Sequence, residues 1–178
     1  MAETAVVVPV PEADPAIGRW RLRHTGDGGV GMPAHVTLVY PFADTAEVTE
    51  ALLAKLEALV AEFEPIELVL RETSRFGGDS PTLWLRPEPA DPFVALTEAL
   101  VRAFPEFLPY GGAFDEIVPH LTIAHGDGAL FQRIERELAP SLPIHAVARE
   151  VSLFEHIRGR WRKHDRFALS RHRAAENP

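Results

Sequence analysis

Apolar positions along this chain fall into short blocks that switch between a period of two and a period near 3.6, and each switch predicts a new element. Ala5–Val10 (AVVVPV) is a β-branched run closed by Pro11 and predicts an opening strand. Pro15–His24 predicts a helix, and the glycines at 26, 28 and 29 predict a flexible loop after it. His35–Val39 (HVTLV) predicts a strand ended by Tyr40-Pro41-Phe42. Leu52, Leu53, Leu56, Leu59, Val60 and Phe63 recur at helical spacing, predicting a helix over Thr45–Phe63 capped by Asp44 or Thr45. Ile66–Leu70 and Thr82–Leu85 predict two strands around a Gly77-Gly78-Asp79 turn, and Phe93–Phe104 a helix between Pro92 and Pro105. His120–Ala124 (HLTIA) predicts a strand, followed by a helix near Ala129–Leu138. Ile144–Glu155 and Trp161–Leu169 then predict a terminal hairpin turning through Arg158-Gly159-Arg160. The alternation is that of an α/β or α+β chain, and no long polar linker divides it. Residues 1–178 therefore predict one domain of two joined lobes, with a flexible tail from about residue 170.

Composition narrows the class. With 46% hydrophobic and 25% charged residues, the chain has enough apolar surface for a core and no collagen-like glycine period. No apolar run reaches the roughly 20 residues of a membrane helix. The start MAETAVVVPVPEADP carries acids where a secretory signal carries Lys or Arg, which predicts a cytoplasmic protein without a membrane partner. Cysteine is absent, which removes disulfides, thiolate nucleophiles and Cys-ligated zinc together. Charge is uneven: residues 1–155 hold 24 acids against 11 bases, whereas residues 156–178 hold 7 bases against 2 acids. A chain with net charge −8 is a poor non-specific binder of long nucleic acid, because such binding rests on many neutralised phosphates. The basic segment 156–173 reads as a solvated arginine-rich hairpin with room for a single phosphate or a short RNA end.

The chemistry lies in a short echo. Met32-Pro33-Ala34-His35-Val36-Thr37-Leu38-Val39 and Val118-Pro119-His120-Leu121-Thr122-Ile123-Ala124 each carry a proline ahead of His-x-Thr on an apolar strand. Side chains at i and i+2 share a strand face, so each segment presents an imidazole beside a hydroxyl. Val36, Leu38, Leu121 and Ile123 then face into packing. Two such strands paired by pseudo-symmetry would set two His and two Thr around one small pocket. The Gly26–Gly31 loop lacks a Gly-Lys-Ser/Thr ending and predicts no nucleoside-triphosphate P-loop.

With their 85-residue separation and the β-α-β layout around them, these motifs resemble the 2H phosphoesterases, in the 2′-5′ RNA ligase-like, cyclic phosphodiesterase branch. HVTLVYPF and PHLTIAHG carry the resemblance, supported by RFGG at 75–78 and LWLRPEP at 83–89, and it spans Ala5 to about Leu169. It implies a bilobal α+β fold with two pseudo-symmetric antiparallel sheets lining a central cleft and helices outside. It further implies that His35, Thr37, His120 and Thr122 form the catalytic constellation.

Opening a 2′,3′-cyclic phosphodiester needs a base to deprotonate water and an acid to protonate the departing 3′-oxygen. Histidine titrates near neutrality, so one imidazole can be neutral while the other is charged. Two threonine hydroxyls can donate to the nonbridging oxygens as charge builds. The scheme asks for no metal and no cofactor, and two His without a third ligand at predictable spacing do not make a zinc site. Relatives of this kind yield a 2′-phosphate, and the same machinery run backward makes a 2′-5′ link. The sequence does not assign acid and base between the two histidines.

Five residues after His35 stands Tyr40, and five after His120 stands His125, where relatives often place an aromatic or basic residue, arginine being common at the second. Tyr40 and His125 are thus candidate substrate contacts. Phe42, Phe76, Trp84 and Trp161 are candidates to stack a nucleobase. His24, His145, His156, His164 and His172 show no pairing and read as surface or hairpin residues. The expected partner is a nucleotide or RNA end bearing a 2′,3′-cyclic phosphate, met by a monomer. A non-catalytic module that binds a nucleotide or RNA end in the same cleft is the alternative.

Overall fold

The computed structural model describes residues 3–107 and 116–171. The chain runs β1 (Thr4–Pro9), α1 (Asp14–His24), β2 (His35–Val39), α2 (Glu50–Val60), β3 (Ile66–Phe76), β4 (Thr82–Glu88) and α3 (Asp91–Ala103). It continues with β5 (Leu121–His125), α4 (Gly128–Leu138), β6 (Ile144–Ala148), β7 (Glu150–Ile157) and β8 (Arg160–Ala168). The strands form two four-stranded sheets of order β2-β1-β7-β8 and β5-β4-β3-β6, and every pairing in them is antiparallel. This is the two-sheet α+β architecture expected from the resemblance. His172 and most of the expected flexible tail lie outside the described residues.

The motif strands β2 and β5 are edge strands of their sheets and come into contact with each other. The helices exchange sides. α1 follows β1 yet packs on β5 of the other sheet, and α3 follows β4 yet packs on β2. α2 lies against β8, and α4 reaches β3 through Glu135, which accepts from Thr73 and Arg75. One core of buried apolar residues joins both sheets and all four helices, with Val36 and Leu38 from β2 and Leu121 and Ile123 from β5 facing into it.

Three expectations need correction. The helix expected over Thr45–Phe63 is split, because two capping residues stand close together. Asp44 accepts from the Ala46 N–H, and its own N–H donates to Glu47, closing a 3₁₀ turn over Thr45–Glu47. Val48 is then extended, and Thr49 caps α2 by accepting from the Leu52 N–H at 3.2 Å. The segment Ile144–Glu155 is two strands rather than one arm of a hairpin. Ala146 and Ala148 are its buried residues before Arg149, but Val151 and Leu153 face the core after it, so the inward phase slips as the chain crosses between sheets. β6 accordingly pairs with β3, and only β7 pairs with β8. Their turn is at the expected place, with Arg158 and Gly159 both at positive φ as a two-residue hairpin loop requires. Finally, the loop after α1 is tied down rather than loose: the Thr25 hydroxyl donates to the Arg21 carbonyl and accepts from the Gly28 N–H. Gly31 closes it at φ +109°, where a side chain would run into the Trp161 backbone.

Candidate active site

β2 presents His35 and Thr37 on the sheet face opposite the main core. Thr37 sits across from Val7 and His35 across from Pro9, and Val7 belongs to a small separate cluster with Ala5, Met32 and Phe154. The register then slips: Val7 faces Thr37 but Val6 faces Val39, leaving Leu38 as an extra residue. This bulge keeps Leu38 and Val39 both buried and returns Tyr40 to the His35–Thr37 face, where it packs with Trp161. Without the bulge, alternation would turn residue i+5 to the opposite face.

β5 repeats the device. His125 faces Thr82 and Thr122 faces Trp84, with Ile123 as the extra residue between them. His125 therefore shares a face with Thr122. Its Nδ1 lies 2.9 Å from the Thr82 hydroxyl, which itself donates to the Ser80 carbonyl, so the ring donates to that oxygen. Both slips fall immediately after the threonine of the motif, and neither shows in the hydrophobic pattern.

Both motif imidazoles are oriented in the same way. His35 Nδ1 lies 2.7 Å from the Pro33 carbonyl, and His120 Nδ1 lies 2.7 Å from the Val118 carbonyl. A carbonyl only accepts, so each ring carries its proton on Nδ1 and leaves Nε2 for chemistry. The prolines in the echo stand two residues before His35 and one before His120. Burial, then the Arg21 guanidinium, push His35 down to about 4; His120 adds to the effect, while Asp27 and the Pro33 carbonyl oppose it. His120 is also pushed down by burial, against the pull of the Val118 carbonyl, and among the described residues no arginine acts on it.

Two residues of this site were not singled out in the sequence. Arg21 is 2% exposed and donates to the Thr122 carbonyl at 2.7 Å, to Asp27 at 3.1 Å and to the Pro33 carbonyl at 3.3 Å. Asp27 Oδ2 lies 3.9 Å from His35 Nε2. Burial pushes the Asp27 carboxyl up, but Arg21, His35 and the Thr25 hydroxyl outweigh it and hold it below the usual value. The available signal was position: Arg21 lies on the buried face of α1 with Ile17 and Trp20, where an unpaired charge is not tolerated. Among the described residues, no three His, Asp or Glu side chains gather as metal ligands.

The expected substrate contacts separate into three groups. Tyr40 and His125 stand on the motif faces, Tyr40 donating to Glu3 at 2.6 Å and His125 exposed. Phe76 and Trp84 stand beside His120: the two rings stack at 4.8 Å, and Phe76 meets the imidazole edge-on at 5.0 Å. Trp84 is buried beneath Phe76 and so braces the site instead of offering a face for a base. Phe42 is not brought to the site. It is buried in the core against Phe104 and Phe107, because the chain has turned inward after Tyr40. Trp161 lies on the Tyr40 side of the first sheet, next to His156. His24 packs on Trp20, and His164 meets Glu155 at 3.2 Å.

Two antiparallel sheets meeting at edge strands that each carry His-x-Thr define a two-histidine phosphoesterase fold. The chain belongs to the 2′-5′ RNA ligase superfamily, whose family model matches residues 9–160. It is 32% identical over 96 residues to the putative phosphoesterase GK0864 of Geobacillus kaustophilus, a match covering 52% of this chain and 51% of the relative. The alignment thus spans about half the length of that curated relative. Among solved structures it is similar to TT0787 of Thermus thermophilus, at TM-score 0.65 and 19% identity over 94% of this chain and 98% of that one. It is similar also to the apo form of E. coli LigT, at TM-score 0.59 and 20% identity over 95% and 98% of the two chains. LigT has been solved with 3′-AMP, with ATP and with phosphate.

Proposed function

We propose that this protein is a metal-independent 2′,3′-cyclic phosphodiesterase that opens the ring of an RNA end or small cyclic nucleotide to a 2′-phosphate. The observation that carries the reading is the matched pair of imidazoles, each tied at Nδ1 to a backbone carbonyl with Nε2 left for proton transfer. The family supports phosphoesterase chemistry, and the phosphate-bearing ligands of LigT support a nucleotide as substrate.

The inequality between the two rings supports a division of roles between them. His35, held lower by burial and Arg21, is the base: its neutral Nε2 takes a proton from water as the water oxygen attacks phosphorus. Among the described residues no cation acts on His120, and it is the acid, giving its Nε2 proton to O3′ as the phosphorus–O3′ bond breaks. The product is a 2′-phosphate with a free 3′-hydroxyl, and the two imidazoles end with their protonation states exchanged. Thr37 and Thr122 donate to the nonbridging oxygens as their charge grows. In this reading Tyr40 and His125 flank the reacting phosphate, and Phe76, half-buried beside His120, contacts the nucleobase. The same steps in reverse let a 5′-hydroxyl replace water and join it through a 2′-5′ link.

Nucleoside 2′,3′-cyclic monophosphates and a short RNA ending in a cyclic phosphate, incubated with the protein in EDTA, test this directly. Phosphorus NMR is expected to show 2′-phosphate as the product. Saturable binding of a 2′-phosphate with no turnover of any cyclic ester would make the protein a binding module instead.

A further inference from the structure

Arg21 occupies a position that the pseudo-symmetry of the two motifs does not supply. One guanidinium, buried to 2% exposure, reaches the backbone of both motif segments: the Thr122 carbonyl at 2.7 Å on β5 and the Pro33 carbonyl at 3.3 Å ahead of β2. The Pro33 carbonyl is also the acceptor that fixes His35 Nδ1–H. Arg21 therefore touches the atom that orients one catalytic imidazole and the backbone of the strand that carries the other. Asp27 completes the group, pairing with Arg21 through Oδ1 at 3.1 Å while Oδ2 lies 3.9 Å from His35 Nε2. The helix is anchored at its other end too, because Asp14 accepts from the Ala34 N–H at 3.1 Å. α1 thus holds Pro33 and Ala34, the residues immediately before His35, from both of its ends. Among the described residues His120 has no such support: the Val118 carbonyl that fixes its Nδ1 receives no cation.

We propose that Arg21 and Asp27 are positioning residues that clamp the two His-x-Thr segments at a fixed separation and place a fixed cation and a fixed anion beside His35. The proposal rests on the two-histidine reading above and deepens it. A planar guanidinium with a rigid fork of donors can serve two carbonyls and a carboxylate at once, which a lysine ammonium cannot do with the same geometry. The charged and titratable groups that face His35 are Arg21 from α1, Asp27 from the following loop, and His120 from the partner motif. Their signs set opposite expectations. Arg21 disfavours the imidazolium and Asp27 favours it, so removing one or the other moves the titration of His35 in opposite directions.

The test is an NMR titration of the imidazole of His35 in wild type, Arg21→Met, Arg21→Lys and Asp27→Asn, with steady-state kinetics on a 2′,3′-cyclic nucleotide alongside. Asp27→Asn is expected to move the titration of His35 to lower pH and Arg21→Met to higher pH. Arg21→Lys keeps a charge and loses the fork; it is expected to hold the titration near wild type while kcat falls about 10²-fold, the cost of about an ångström of misplacement. Nitrogen shifts of His35 report the tautomer, which is expected to remain Nδ1–H wherever Pro33 stays in place. Shifts of both charge-removing variants in one direction would overturn the proposal. So would an unmoved titration with kcat within about twofold of wild type, even with a lowered Tm. If Arg21→Met does not fold, Asp27→Asn and Arg21→Lys still decide it. A wild type inactive on every cyclic ester would contradict the phosphodiesterase reading but leave the His35 titration free to test the clamp.

Discussion

At the scale of single residues, the two histidines are alike in geometry and unlike in surroundings. Each has its Nδ1 proton fixed by a carbonyl, and that shared feature follows from a chain that bends back at the preceding residues. The difference comes first from the deeper burial of His35 and then from the Arg21 guanidinium beside it, with Asp27 pulling the other way. It has a consequence for pH. In the proposed mechanism His35 must be neutral to act as base, which burial and Arg21 allow above about 4, while His120 must be protonated to act as acid, and its proton is lost below the ordinary histidine value. The kcat/KM profile of the free enzyme is therefore expected to be a bell whose acid limb lies near 4 and whose alkaline limb lies below 6.5, measured on a cyclic nucleotide from pH 3.5 to 9. An acid limb at the ordinary histidine value would contradict the assignment of His35 as the depressed base. The four residues of the two motifs were legible in the sequence because His and Thr two apart on an apolar strand share a face. Arg21 was not, since its partners are main-chain carbonyls of segments 12 and 101 residues away, which no side-chain motif records.

At the scale of elements, the decisive feature is a bulge placed after each motif threonine. Leu38 and Ile123 are the extra residues, and they return Tyr40 and His125 to the faces that carry the histidines. The spacing of five was visible in the sequence, but strict alternation assigns an odd spacing to the opposite face, so the pattern alone argued against these two residues. The bulge resolves it through the backbone ladder. His125 is then held by Thr82, whose hydroxyl is fixed in turn by the Ser80 carbonyl. Thr82→Val removes that acceptor and is expected to raise KM about fivefold, the worth of one hydrogen bond, with kcat within about twofold of wild type. Steady-state kinetics on a cyclic nucleotide check this; an unchanged KM would place His125 outside the substrate contacts. Element boundaries were less legible where two signals compete. Asp44 and Thr49 both cap, and a helical run of leucines does not say which cap starts the helix. The break at Arg149 was marked only by a slip in the inward phase, Ala148 to Val151, inside a run that otherwise reads as one strand.

At the scale of the whole molecule, the halves are bound together by exchanged helices. α1 packs on β5 and α3 on β2, so each motif strand is supported by a helix that follows a strand of the other sheet. Strand and helix content could be read from local periodicity, but this exchange could not, because it depends on which sheet a helix covers. The family resemblance supplied the two-sheet architecture, and the apolar faces of Val36, Leu38, Leu121 and Ile123 agree with it. Among the described residues, no helix is long and apolar enough to cross a membrane. In the proposed mechanism the two converging edge strands, with one imidazole at the start of each, make catalysis a property of the pair. The measurement that tests this most directly is kcat/KM for His35→Ala, His120→Ala and the double variant on an RNA ending in a 2′,3′-cyclic phosphate. Each single variant is expected to lose about 10³-fold or more, and the double variant to lose little beyond that, since groups acting as a unit are not additive. Activity within about tenfold of wild type in either single variant, or losses that multiply in the double, would contradict the two-histidine account.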